Sequence, residues 1–449
     1  MRFLSKDLLK EPGLIIAART RFSFLWMPII CFIMIGMATV LATPLSMTLA
    51  PRGIVPLWQD TPPSSLLRLL IDTREFKWYH EEGTWFLKGF LPYRDYPYEY
   101  PVLATALFTL PALFVSHPVF YQLLFRMMAV AAGAWLMYAT LKECQRAGQA
   151  RLMWLFLLPS VLYFTVNRFD VFPALALQLS LYVFIRGMHR RVWVWLAVSF
   201  LFKWYAGLLI PLYLVRTFDM VRNIGERRRA FGGLLLGVSI VLAGHLWLLP
   251  LGGSVLDAMN PYAIHFERPP EVGSLPAAVL ALVSPAYRVF DPNDLPKGDL
   301  AVGVGALLSS ILQLSGVALV AVWARKFSRA MMATDTGFAC AAFFVVGCFV
   351  LFSRVYSQQW IVWLAPLFIF TNPAPALVGL FVVFDLVNYI QFPILFGTLS
   401  GADYFSLFTW LTIVRSLLLG LLIFMMMRVL RGQGGVESGA SYTHTSSPS

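Results

Sequence analysis

The chain is 449 residues long, 59% hydrophobic and only 13% charged, with a mean hydropathy of +0.71. A soluble domain carries about 25% charged residues, so a water-soluble enzyme or binding module is excluded. The net charge of +12 does not mark a nucleic-acid binder, because alternate short loops and the two tails hold 21 of the 35 Lys and Arg but only 7 of the 23 Asp and Glu. That asymmetry is the positive-inside pattern of a multi-pass membrane protein.

In chain order, residues 1–21 read as a basic cytoplasmic tail with Arg2, Lys6, Lys10, Arg19 and Arg21. The first apolar run, Phe22 to Ala42, is too long for a signal-peptide core and reads as a retained span. A long outer segment follows, about 44–118, too polar to cross yet rich in Trp, Tyr and Pro. Within it, stretch 64–90 has amphipathic helical character and suits the membrane interface. The apolar run 102–115 is short for a span and reads as interfacial or re-entrant.

Spans are expected at 119–141, 152–166 and 170–185, the last two forming a hairpin tipped by Asn167 to Asp170. Stretch 192–215 is read as a short hairpin tipped near Lys203. One straight span would place the basic loops 186–191 and 216–229 on opposite faces. A span at 231–250 leads to a second outer loop, about 251–300. Spans at 301–324, 336–352, 359–371, 374–391 and 404–428 complete an expected total of twelve. The Gly-, Ser- and Thr-rich stretch 431–449 reads as a disordered cytoplasmic tail. Cys31, Cys144, Cys340 and Cys348 show no CxxC or disulfide spacing.

The residues with chemical potential collect at the outer tips. Asp72 is placed near the start of an amphipathic helix, where a carboxylate between an apolar wall and water can act as a base toward a hydroxyl. A solvated charge or helix cap is the plainer reading. Arg168 and Asp170 are two apart and suit an ion pair fixing a turn. Lys203 lies in apolar sequence, where a lysine either snorkels to the interface or meets a ligand. His265 and Arg268 suit an anion. The tip carrying Arg354, Tyr356, Gln358 and Gln359 offers cationic and amide donors without a carboxylate, which suits a phosphate or sugar. Arg126, Asp385 and Arg415 lie inside other spans and keep a transporter in view. No Walker loop, HExxH or GxSxG occurs.

Five segments together resemble a known family. Asp72 with Tyr79, Gly89, Pro92-Tyr93, Asp95 and Glu99-Tyr100-Pro101 resembles the family's first outer loop. Arg168-Phe169-Asp170 with Pro173 resembles its RxDxxP segment, and Lys203-Trp204-Tyr205 with Pro211 its K-[YF]-P segment. His265, Arg268 and Ser274 resemble its H…R…ES stretch. Ser357-Gln358-Gln359-Trp360 with Trp363 and Pro366 resembles its SPQYxxWxxP segment. Val102, Ala206, Gln358 and Gly273 depart from the pattern. The family is glycosyltransferase family 87, of the GT-C superfamily of integral-membrane enzymes.

The resemblance implies an all-α GT-C fold spanning 22–430. It implies transfer of a hexose, mannose foremost, from a polyprenyl-phosphate donor to a hydroxyl of a lipid or glycan acceptor on the outer face of a plasma membrane. Asp72 would take the acceptor proton with inversion, and Lys203, Arg268 and His265 or Arg354 would meet the leaving phosphate. Arg168, Asp170 and Gln358 would complete the donor side, with no resident cofactor or metal expected. A transporter or flippase, which would show repeats and midplane polar groups, and a non-catalytic relative are the alternative readings.

Overall fold

The computed structural model describes residues 12–48, 69–72, 74–220, 224–288, 295, 299–326, 334–396 and 402–436. Helices make up the described structure, with no strand beyond one isolated bridge between Pro92 and Tyr96. Among the described residues seven helices are long and apolar enough to cross a membrane. An eighth is gained if the bent pair Ala150–Leu157 and Pro159–Asn167, kinked by 68°, counts as one span. Three shorter apolar helices, Val102–Ala112, Val171–Ile185 and Gln358–Phe370, bring the apolar set close to the expected twelve without making each a crossing. The protein is an all-α multi-pass membrane protein.

The elements are α1 (Pro12–Thr48), α2 (Arg74–Leu87), α3 (Val102–Ala112), α4 (Pro118–Arg146), α5 (Pro159–Asn167), α6 (Val171–Ile185), α7 (His189–Phe202), α8 (Ile210–Met220), α9 (Ile224–Leu246), α10 (Val255–Glu267), α11 (Leu275–Val283), α12 (Leu300–Lys326), α13 (Asp335–Phe352), α14 (Ile361–Phe370), α15 (Pro375–Tyr389) and α16 (Ala402–Val436). The first 11 residues of the expected basic tail, and 437–449 of the expected disordered one, lie outside the described residues. α16 continues through 431–436, so that part of the tail expected to be disordered is helical.

The bundle is built around helices that are apolar all round. α14 buries nine of its ten residues, and α13 buries Gly337 through Val350. At the periphery, α9 and α12 show the opposite: only 11% of each apolar window is buried. Leu235, Val238 and Leu242 on α9, and Leu307, Ile311 and Leu314 on α12, are exposed. Such apolar surface is unfavourable against water and is the surface a lipid tail would meet.

The stretch 192–215 breaks where it was expected to. α7 ends at Phe202, Lys203 is extended, and a 3-10 turn over Trp204–Leu209 starts α8. Glycines on α9 then fix the direction of the chain. A Cβ on Gly233 would lie 2.7 Å from the Arg190 carbonyl, one on Gly237 2.8 Å from that of Trp193, and one on Gly244 2.7 Å from Leu201. The contacts advance together along both helices, so α7 and α9 run parallel. α8 must therefore return, and Lys203 sits at the turn of a hairpin.

A second, aromatic core seats the outer segment. Phe76, Tyr79, Tyr93, Tyr98, Phe108, Tyr121, Phe125 and Phe169 pack together, with Tyr79 stacked on Phe108 at 4.3 Å. This packing turns α2 so that one face is buried and the opposite face meets solvent or cavity. Gly89, in the left-handed region at φ 90°, ends that helix, and the Phe90 N–H reaches back to the Trp85 carbonyl at 3.1 Å. At 11 residues α3 spans about 16.5 Å, too little to cross a bilayer.

Candidate active site

Charged side chains gather at two opposite ends of the bundle. At one end Glu143 takes Arg146 at 2.9 Å and Arg186 at 3.2 Å, and Arg216 meets Asp335 at 2.6 Å. At the other end lie nearly all the residues singled out by the sequence.

That second end contains two adjoining cavities. The first, about 480 Å³, is lined by Glu75, Trp78, Tyr79 and Glu82 from α2, Pro97 to Tyr100, Phe108, Lys203, Ile264 and His265 from α10, Arg268 just after it, Glu271 and residues 355–357, 359 and 360. The second, about 340 Å³, is largely apolar, lined by Phe200, Trp204, Tyr205, Tyr262, Phe349, Trp360 and Trp363, with Ser310, Gln313, Ser353 and Arg354. Both volumes fall within the range of ligand sites. The cavities share Lys203, His265, Val355 and Trp360.

Cations mark that shared wall. Lys203 Nζ is 2.9 Å from Asp170 Oδ1 and lies over the rings of Phe169 at 4.9 Å, Trp363 at 5.0 Å and Tyr100 at 5.6 Å. The Asp170 carboxylate holds it there, so Asp170 serves Lys203 and does not face the cavity. Arg268 meets Glu99 at 2.6 Å and Glu271 at 3.6 Å. Burial pushes the Glu99 carboxyl up, but Arg268 and its other partners outweigh that and hold it below the usual range. Burial pushes His265 down to about 4, against the pull of Glu99, so it is a neutral donor or acceptor at pH 7. Arg354 donates to the Arg268 carbonyl at 3.2 Å and to Ser310 Oγ at 2.5 Å, tying the 353–358 tip to α10 and α12.

Asp72 is held away from the cavity wall. Its carboxylate meets Arg168 Nη2 at 2.5 Å, its N–H donates to Asn167 at 3.1 Å, and Arg126 donates to its carbonyl at 2.6 Å. It is not among the residues lining either cavity. One turn later Glu75 does line the polar cavity, and its Oε1 is 3.9 Å from the same Arg168 group. Burial raises the Glu75 pKa first; Arg168 opposes and Asp72 adds to the rise.

Among the other first-loop residues, Tyr79, Glu99 and Tyr100 line the polar cavity. Tyr93, at φ 72°, sends its hydroxyl to the Tyr100 carbonyl and so shapes the loop. Asp95 lies outside, pairing with Arg94 at 2.7 Å and capping the Leu91 N–H. Gln358 lies behind the cavity, its carbonyl taken by Asn388 at 3.0 Å.

The intramembrane charges are engaged by their own surroundings. Arg126 also binds Thr43 and Asn167, Asp385 accepts from the Ser160 and Val161 N–H groups, and Arg415 donates to Gln391 and the Gly273 carbonyl across the Tyr356 ring. They brace helix ends and loops rather than line a path.

Glu75, Trp78 and Glu82 were not singled out by the sequence. Their spacing with Tyr79, at i, i+3, i+4 and i+7, is the signal that places all four on one helical face. No family model matches the chain, and no curated protein matches it.

Proposed function

We propose that the chain is a membrane glycosyltransferase that moves a hexose from a polyprenyl-phosphate donor to an acceptor hydroxyl, with mannose the sugar suggested by the family 87 resemblance. The observation that carries this reading is the pair of cavities, one polar and one apolar, joined where Lys203 and His265 stand. A donor with a lipid tail, a phosphate and a sugar asks for that sequence of environments. The apolar cavity includes part of α12, whose remaining surface is open to lipid.

In this reading the prenyl chain lies among Phe200, Tyr262, Phe349 and Trp363. The phosphate rests at Lys203, with His265, Arg268 and Arg354 near it, and the sugar enters the polar cavity. Glu75, rather than Asp72, takes the acceptor proton. As the hydroxyl oxygen attacks the anomeric carbon, its proton passes to the Glu75 carboxylate. The bond from that carbon to the phosphate oxygen breaks, and the electron pair leaves on the phosphate. The anomeric centre inverts. Cations held beforehand in a site shielded from water stabilise the charge that develops on the phosphate. Asp72 fixes Arg168, which fixes Glu75.

The positive-inside pattern supports a site on the non-cytoplasmic face, and the family resemblance suggests a plasma membrane. The test is transfer by purified protein in lipid, supplied with polyprenyl-phosphate mannose, glucose or arabinose and native lipid acceptors. A labelled product is expected with wild type, and Glu75→Gln is expected to lower turnover by about 10²- to 10⁴-fold, the usual weight of a general base. Undiminished turnover in that variant would remove Glu75 from the reaction.

A further inference from the structure

At the end of the bundle away from the two cavities, α7 and α9 begin side by side. A Cβ on Gly233 would lie 2.7 Å from the Arg190 backbone, so the opening turns of the two helices are in contact. Those turns carry Arg190 and Arg191 on α7, and Arg227, Arg228 and Arg229 on α9, all exposed. Arg190, Arg191, Arg228 and Arg229 form no salt bridge among the described residues. Glu226, the acid in the first turn of α9, sits on the α7 side, where His189 feels its charge.

Membrane insertion asks only that basic residues lie near span ends on one side. It does not ask that they gather in the opening turns of two parallel helices, where each helix dipole opposes a cation. α7 has no acid in its first turn and no side-chain cap from Met188. An anion at this end would meet the arginines and both positive helix ends at once. The lipid side points the same way. On α9 the exposed residues Phe231, Leu235, Val238 and Leu242 form one stripe at helical spacing, and Arg228 stands three residues before Phe231 on that stripe. On the opposite face Ala230, Gly233 and Gly237 are buried, the two glycines against α7. Arg228 therefore stands over the headgroups of the lipids whose tails meet the stripe.

We propose that the opening turns of α7 and α9 are a docking surface for anionic phospholipids, whose phosphates are held by Arg190, Arg191, Arg228 and Arg229 while their acyl chains lie along the apolar stripe of α9. Arginine suits the role because its guanidinium donates to two phosphate oxygens at once. The surface is independent of the glycosyl-transfer reading, since none of these residues lines either cavity.

The experiment uses the full-length protein in phosphatidylcholine nanodiscs containing a trace of spin-labelled phosphatidylglycerol or spin-labelled phosphatidylcholine. The phosphatidylglycerol probe is expected to associate at least about fivefold more strongly, with the preference falling as salt rises. The variant Arg190→Gln/Arg191→Gln/Arg228→Gln/Arg229→Gln should bring the two probes within about twofold of each other, and an unchanged melting temperature in pure phosphatidylcholine reports its intact fold. Lys88→Gln, at the opposite end, should leave the preference as it is. A diazirine-bearing phosphatidylglycerol reads the same surface in the wild type, without any substitution, and its adducts should gather on residues 189–191 and 224–231. Equal association of the two probes, a preference that survives the glutamine variant, or adducts spread evenly around the bundle overturns the surface. Loss of the preference in inorganic phosphate, but not in sodium chloride of equal ionic strength, would assign a free phosphate ligand and overturn the lipid.

Discussion

Asp72 and Glu75 are three residues apart and share one guanidinium, yet their surroundings ask different things of them. The Asp72 carboxylate is enclosed with Arg168, and its backbone is bonded to Asn167 and Arg126. Removing one partner of such a buried pair destabilises a protein by about 3–5 kcal/mol. Asp72→Ala should therefore unfold more readily in a denaturant titration, whereas Glu75→Gln should not. Asp72→Asn keeps the shape and isolates the charge. The base works as a carboxylate, so activity rises with pH through the raised Glu75 pKa. The Asp72 charge is one of the causes of that rise, so its loss should move the acidic limb of the pH–rate profile toward lower pH. No turnover in a folded Asp72→Asn protein would return the base assignment to Asp72, whereas a profile with the limb unmoved would say that the limb does not report Glu75.

At the scale of elements, α2 is the piece on which the site depends, and it is held by close approach rather than by length. Gly83 lies against the backbone of Phe108 and Thr109 on α3, leaving no room for a Cβ. Gly83→Val should cost about 1–3 kcal/mol through overpacking and should tilt Glu75, Trp78 and Glu82 together, weakening transfer more than polyprenyl-phosphate binding; equal loss of both would say that α2 does not act as a unit. The sequence carried the breaks well. Lys203 in apolar surroundings marked the hairpin turn, because a lysine is stable there only at a polar end. Pro101 and the short run after it marked α3 as a non-crossing helix. The kink between Leu157 and Pro159 was not read, although Pro159 cannot continue the i→i−4 ladder from the preceding turn. Glu75 and Glu82 were hidden because they lie among Arg74, Lys77, His80 and Glu81, where acids are commonplace. Only the packing of Phe76 and Tyr79 into the aromatic core decides which acids turn inward.

For the whole molecule, what was legible was the sorting of charged residues to separate ends of the bundle, because charge placement is governed by insertion and not by packing. Lys203, His265, Arg268 and Glu99 come from segments up to 169 residues apart, yet they meet at one end of the bundle. Arg186 pairs with Glu143, and Arg216 with Asp335, at the other. The parallel run of α7 and α9 adds an independent constraint, since it places the starts of both helices, His189 and Ile224, at the same end. Surface labelling tests both inferences at once. Lys88 and Arg228 are exposed and belong to opposite ends, and Cys144, Cys340 and Cys348 are buried. In a Cys31→Ser background, Lys88→Cys should react with an impermeant maleimide on intact cells, and Arg228→Cys only after the membrane is opened. The reverse pattern would turn the site toward the cytoplasm. Labelling of both on intact cells would break the hairpin at Lys203 and, with it, the geometry that brings this lysine to the wall between the two cavities.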